Sequence, residues 1–226
     1  MPLIVSDPCA ELGLRAEALV FRDLRIGPSS PQLQDLVAQQ LQELRLQYPS
    51  IDVLRNSAEL AKFREILKRV GVEQGKFSPS VENLYRLILK RGKLPTINNL
   101  VDIYNLISVR THCSMGAHDL DRITTPVRLQ PLSGSESFVP LGRSEPQSVG
   151  AGEFGYVDAD DRLLCRLDVL QADFSKVTSE TRNVLMIIET TTAHRPETIQ
   201  QARDELIDRV TRHCGGTVEK PRAADT

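Results

Sequence analysis

No stretch of this chain approaches the ~20 consecutive apolar residues that a membrane span requires, so a transmembrane protein is not expected. The N-terminus lacks a basic flank followed by an apolar core, and no secretory leader is expected either. Cysteine is sparse: Cys9, Cys113, Cys165 and Cys214 lie far apart with no C-x-x-C pair. That pattern argues for reduced thiols in a cytoplasmic protein. The adjacent pairs His112-Cys113 and His213-Cys214 do not have the wider ligand spacing of zinc sites, so no metal is expected. Excess charge is also missing. The formal net charge is −2, which provides no global field to hold the molecule on nucleic acid. Lys62, Arg64, Lys68 and Arg69, and then Lys90, Arg91 and Lys93, form local basic clusters that read first as solvated helix faces and ends. Tryptophan is absent and aromatic residues make up 4% of the chain. There is no P-loop, no G-x-S-x-G elbow and no H-E-x-x-H helix.

What is present is ordinary globular sequence. The 226 residues, 40% hydrophobic and 26% charged, suit one large domain or two small ones. Alternation predicts a strand over residues 17–26. Ser30-Pro31 opens a helix with Leu33, Leu36, Val37, Leu41 and Leu44 on one face, stopping before Pro49. A second helix follows Ser57 and ends at Gly71. A third follows Ser78-Pro79 and ends at Gly92. Residues 124–168 are rich in Pro, Gly and Ser, with strands expected near 126–130, 136–141, 154–158 and 162–169. The run Asn183 to Ile188 reads as a buried strand ending at Glu189, and Pro196 begins a last helix closed by Gly215-Gly216. Helices at both ends and strands in the middle predict an α+β fold. The expected division is one domain over residues 1–216, with an N-terminal strand and helix extension, and a flexible tail over 217–226.

One helix departs from the usual amphipathic pattern. From about Thr96 to Thr111, the residues Leu100, Val101, Ile103, Tyr104, Leu106, Ile107 and Val109 leave no broad solvent face, which predicts burial. Asn98, Asp102 and Asn105 recur at spacings of four and three, placing two amides and a carboxylate in one stripe. Buried polar groups need partners. The stripe is therefore either an internal hydrogen-bond network or the wall of a polar pocket.

Gly116-Ala117-His118-Asp119-Leu120-Asp121 follows that helix directly. A glycine beside a histidine and two acids in a connecting segment is a site candidate, and equally a turn in which Asp119 caps local backbone. Asp168 lies at the end of an apolar strand and Glu189 at the end of a buried run, followed by the hydroxyls of Thr190, Thr191 and Thr192. Gly150-Ala151-Gly152-Glu153-Phe154-Gly155 matches G-x-G-x-x-G by letter. It lacks the strand before and the helix after that dinucleotide binding needs, so it reads as a glycine loop.

Two separated blocks carry a family resemblance. Leu94-Pro95-Thr96-Ile97-Asn98-Asn99-Leu100-Val101-Asp102, then Asn105, then Gly116 to Asp121 form the first. Ser175-Lys176-Val177-Thr178, Glu180-Thr181 and Arg182-Asn183-Val184-Leu185 form the second. Together, over roughly residues 60–213, they resemble the B3/B4-type tRNA-editing domain found in the beta subunit of bacterial phenylalanyl-tRNA synthetase and in free-standing proteins. With no synthetase catalytic or anticodon-binding region, the chain resembles a free-standing member. The resemblance implies a cytoplasmic, cofactor-free deacylase that hydrolyses the ester of a mischarged tRNA, its partner, as a second sieve. Such a reaction needs a held ester, an oriented water and oxyanion donors rather than a strong nucleophile.

Carried onto this sequence, the resemblance makes His118 and Asn105 the catalytic candidates. Asn98, Asp102, Tyr104, Gly116, Asp168, Glu189 and Thr191 become the substrate-binding candidates. Two departures bear on chemistry. Synthetase versions carry histidine where Gly116 stands and an aromatic where His118 stands. Free-standing relatives have a tryptophan- and arginine-bearing stretch where this chain has Leu167-Asp168-Val169-Leu170. Acids at Asp102, Asp168 and Glu189 would favour a cationic, arginine-like side chain. Some free-standing members act on tRNA carrying canavanine, the oxyguanidino analogue of arginine, so canavanyl-tRNA(Arg) is the expected substrate. The alternative is a tRNA- or amino-acid-binding module without hydrolysis; a weaker third reading is a hydrolase of small amino-acid esters. The sequence does not specify the oligomeric state.

Overall fold

The computed structural model describes residues 2–72 and 75–219. Among the described residues, two sheets and seven α-helices make an α+β fold, as the sequence predicts. One sheet has four strands, β3 (Ser114–Asp119), β8 (Val184–Thr191), β2 (Leu14–Arg22) and β9 (Thr217–Val218), in that order and antiparallel throughout. The other runs β1 (Leu3–Val5), β4 (Val127–Pro131), β5 (Phe154–Val157), β6 (Leu163–Arg166) and β7 (Leu170–Gln171), with one parallel pair, β1–β4. No helix among the described residues is long and apolar enough to cross a membrane.

The expected helices form around the expected signals. Helix α2 (Pro31–Gln47) starts with the Ser30 hydroxyl accepting the Leu33 N–H, relieving one of the unpaired donors at a helix start. Helices α4 (Ala58–Arg69) and α5 (Ser80–Arg91) follow, and Gly92 ends the latter at φ +73°. Helix α6 (Asn99–Thr111) is buried continuously from Asn99 to Val109. It packs with α7 (Pro196–Cys214) on one face of the four-stranded sheet, where Leu19, Phe21, Met186 and Ile188 meet Ile103, Ile107, Leu206 and Val210. The opposite sheet face, through Val20, Leu185 and Ile187, meets the five-stranded sheet and α4 through Tyr156, Leu164, Phe63 and Ile66.

Several boundaries differ from expectation. The strand predicted over 17–26 begins at Leu14 and stops at Arg22, because Asp23 turns to φ +56°. Three short elements, β1, α1 (Asp7–Leu12) and α3 (Ile51–Arg55), were not predicted; each is too short to show a hydrophobic period. Residues 136–141 make only isolated bridges at Phe138 and Pro140. Gly116 to Asp119 is not a connecting segment but the body of edge strand β3, and Asp119 also caps the 3-10 turn Leu120–Arg122. The expected flexible tail begins instead with β9, where Thr217–Val218 pair with Arg22 and Phe21. Residues 220–226 lie outside the described residues.

The glycine loop is held by packing. Arg166 makes a bidentate pair with Glu153, at 2.5 and 2.8 Å, and its guanidinium covers the Phe77 ring. Strand β5 follows with no helix, so the phosphate-binding geometry is missing. A Cβ on Gly155 would sit 2.8 Å from the Cys165 carbonyl oxygen, a close approach that only glycine permits.

Candidate functional site

A cleft opens between the edge of the four-stranded sheet, the β6–β7 turn and the exposed side of α5. Its outer chamber, about 230 Å³, is lined by Ser80, Asn83, Leu84 and Leu87 of α5, Tyr104 and Asn105 of α6, Gly116 and His118 of β3, and Asp168 and Gln171 beyond β6. The four α5 residues fall at i, i+3, i+4 and i+7, one face of a helix, while Val81, Tyr85 and Ile88 turn inward. A smaller inner chamber of about 40 Å³ continues between the sheets. There Ser114, Gly116 and His118 meet Tyr156, Cys165, Asp168 and Glu189. Alternation along β3 puts residues 114, 116 and 118 on one face, and Ser114 pairs in register with Glu189.

The polar stripe on α6 divides. Asn98 is the N-cap, with extended backbone, and its side chain accepts the Val101 N–H at 2.9 Å. Lying outside the helical lattice, it does not reach the cleft. Asp102 turns the other way, accepting from the Ser29 hydroxyl at 2.5 Å and the Ile97 N–H at 2.9 Å. Neighbouring Asn99 is saturated by Arg25, Gly27, Leu100 and His213 main-chain groups. Only Asn105 faces the cleft, and its amide has no hydrogen-bond partner among the described residues. The Tyr104 hydroxyl beside it is likewise free. Both readings of the stripe hold, for different members.

His118 is 2% exposed. Its Nδ1 lies 2.9 Å from the Ser175 hydroxyl and 3.5 Å from Gln171 Nε2. The same Gln171 nitrogen donates to the Ala117 carbonyl at 2.8 Å, so it is an NH₂ group and Nδ1 must accept. The proton then sits on Nε2. Burial pushes the imidazole down to about 4, because a charged ring is poorly solvated there. His118 is thus a neutral ring with its remaining donor available to the cleft.

At the deep end two carboxyls, those of Asp168 and Glu189, line the inner chamber. Asp168 Oδ2 accepts the Ser80 N–H at 3.2 Å, while Oδ1 is shielded from solvent and unpartnered. Glu189 Oε2 accepts a short hydrogen bond from the Tyr156 hydroxyl, and Oε1 is buried without a partner. Burial raises Asp168 to about 7. Burial, followed by the Asp168 charge, pushes Glu189 well above the usual carboxylate range. Asp168 was expected at the end of a regular strand. Instead, Leu167 breaks the alternation at φ +55° and 0% exposure. A left-handed leucine costs roughly 1–2 kcal/mol, and here it turns the next carboxyl into the cleft. Thr191 does not line the cleft: its hydroxyl serves His194 and the Ala193 N–H.

The residues missed by sequence reasoning are Tyr156, Ser80 and Gln171. Nothing in a strand tyrosine, a helix-start serine or a β7 glutamine marks a site locally. The second motif block braces the first through three polar contacts: Ser175 with His118, Thr181 with Asp119 at 2.6 Å, and Asn183 with Asp121 at 3.0 Å.

A model of the B3/4 domain matches residues 62–215. Nothing among curated proteins matches this chain. Among solved structures, it is similar to an N-terminal fragment of the phenylalanyl-tRNA synthetase beta-subunit from Pyrococcus horikoshii, at 13% identity and a TM-score of 0.52. The alignment covers 96% of this chain and 49% of that one, a likeness of fold.

Proposed function

Because the chain belongs to the B3/4 domain family, we propose that it is a trans-acting aminoacyl-tRNA deacylase that hydrolyses the ester of a mischarged tRNA. One observation carries the reading: the cleft joins unpaired neutral donors at its outer end, Asn105 and His118, to two orphan carboxyl oxygens at its inner end. An aminoacyl ester fits that polarity. Its ester would lie against Asn105 and His118, and its side chain would point inward. The carboxyls favour a cationic side chain, and a guanidinium-like fork can engage one oxygen of each. Canavanyl-tRNA(Arg) is the substrate we favour.

The outer end suits hydrolysis without a strong nucleophile. Strand β3 is the edge of its sheet. The Ala117 carbonyl accepts Gln171 and the Asp119 N–H donates to Ser175, so odd-numbered residues of β3 direct main-chain groups away from β8. The N–H groups of Met115 and Ala117 then turn toward the open edge, as oxyanion donors should. With Thr191 committed elsewhere and the one His118 donor assigned to the ester, Tyr104 is the cleft donor we assign to an oxygen that canavanine has and arginine lacks.

The test is a panel of tRNAs charged with correct and incorrect amino acids, with ester loss followed with and without the protein. Canavanyl-tRNA is expected to be hydrolysed much faster than arginyl-tRNA. Equal rates on both would remove selective editing, and preference for a neutral or aromatic amino acid would remove the cationic assignment. Binding without ester loss would leave a binding module. A second check uses Gly116, where a Cβ meets nothing within 4 Å. Gly116→Val suits a strand and should leave the thermal midpoint within ~2 °C of the parent while blocking the cleft and abolishing deacylation.

A further inference from the structure

Glu189 and Asp168 share the inner chamber, and among the described residues no lysine or arginine lines it. From α1 the facing titratable group is Cys9, and from α5 it is Glu82. From β3 it is His118, from β5 Tyr156 and from β6 Cys165. Burial raises both thiols and the tyrosine and lowers the imidazole, so all four are neutral near pH 7. Glu82 is already held by Arg64 at 2.5 Å and Arg55 at 3.2 Å, so those guanidinium groups are engaged elsewhere. Two enclosed carboxyls with one orphan oxygen each cannot both ionise cheaply without a positive partner. A buried acceptor with no donor is also costly. A proton held by the pair relieves both problems.

We propose that Tyr156, Asp168 and Glu189 form a proton-exchanging cation subsite, in which the positive end of the ligand enters the inner chamber in place of a proton held by the two carboxyls. The subsite rests on the cationic-substrate reading above and adds how that substrate is selected. On entry a carboxyl O–H bond breaks and its proton leaves to water, while ligand N–H groups donate to Asp168 Oδ1 and Glu189 Oε1. Tyr156 is a positioning residue: by engaging Glu189 Oε2 it leaves Oε1 for the ligand. The exchange sets a preference by basicity. A permanent guanidinium must displace the proton into solvent. A weaker base that arrives uncharged accepts that proton from the pair and releases none. Canavanine, whose oxygen lowers the basicity of the group, is therefore distinguished from arginine by more than shape.

The probes are free arginine and free canavanine, titrated calorimetrically into the full chain in buffers of different ionisation enthalpy between pH 5.5 and 8. Arginine is expected to release close to one proton per molecule bound at pH 6, with the apparent Kd tightening up to tenfold per pH unit toward 7. Canavanine should release fewer protons than arginine at pH 8. Asp168→Asn, which cannot hold that proton, should lower the proton count. Tyr156→Phe should weaken arginine binding about tenfold with the fold unchanged by circular dichroism. Arginine binding with no proton exchange at pH 6 would overturn the subsite and leave the substrate reading standing. Failure of both ligands to bind, with a neutral aminoacyl ester hydrolysed, would overturn the substrate reading itself.

Discussion

Replacing His118 by alanine is expected to lower kcat for ester hydrolysis about 100-fold, the usual cost of one well-placed donor to a developing oxyanion. The expectation follows from tautomer and environment. Nδ1 accepts from Gln171 and faces Ser175, so Nε2 carries the hydrogen. Burial holds the ring neutral down to about pH 4. A ring that donates and does not titrate near neutrality is a stabiliser of charge, not a general base. Two results separate these roles. With substrate saturating, kcat should show no limb between pH 5 and 7.5 that disappears in His118→Ala. His118→Gln, which keeps an N–H donor, should recover part of the lost rate. An unchanged rate in His118→Ala would remove the residue from the mechanism. The neutral ring also makes a stability statement. Its folded pKa lies below the unfolded value of 6.5. The contribution is complete above that value and is lost as pH falls from 6.5 toward 4.

Asp168→Asn should move binding and stability in opposite directions. The substitution keeps an oxygen to accept the Ser80 N–H and removes the charge. Losing a charge-assisted partner is worth roughly 1.5–3 kcal/mol, so affinity for an arginine-like ligand should fall about 10- to 100-fold, and canavanyl-tRNA deacylation with it. The stability change runs the other way. The folded pKa, about 7, lies above the unfolded 3.8. The folded state therefore holds the proton more tightly. Stability from this group is greatest below pH 4 and is lost as pH rises through 7. At pH 8 the asparagine variant escapes that loss and should be more stable, by on the order of 3 kcal/mol, or roughly 6–10 °C in thermal midpoint. The difference should shrink steadily between pH 7 and pH 4. A variant less stable than the parent at pH 8, or one that binds arginine as tightly, would contradict the placement of this carboxyl.

Much of the scaffold was legible because its signals are local. Ser30-Pro31 starts α2, Gly92 ends α5, the apolar run before Glu189 is β8, and the uninterrupted apolarity of 100–109 buries α6. The short pieces β1, α1 and α3 were not legible, because three to six residues carry no measurable period. The left-handed Leu167 could not be foreseen: nothing about a leucine in an apolar strand announces φ +55°. That one backbone reversal takes Asp168 off the face it would share with Arg166 and turns it into the cleft.

The candidate site divides along the same line. By itself, the amino-acid sequence determined the fold class, the family motifs, and the placement of Asn105, His118, Asp168 and Glu189 among the groups to watch. Residue type and spacing set those, since helical and strand periods follow from backbone geometry alone. Only the tertiary structure decided which polar groups were already satisfied. Asn98, Asp102 and Thr191 look as available as Asn105 on paper. Each is consumed by a neighbour: a helix start, the Ser29 hydroxyl, a turn at His194. Tyr156 and Gln171, unremarkable in sequence, acquire their roles because the packing of one sheet against the other sets them against Glu189 and His118. Hydrogen-bond satisfaction depends on contacts across dozens of residues, and it is what separates a buried polar side chain that supports the fold from one left free for a ligand.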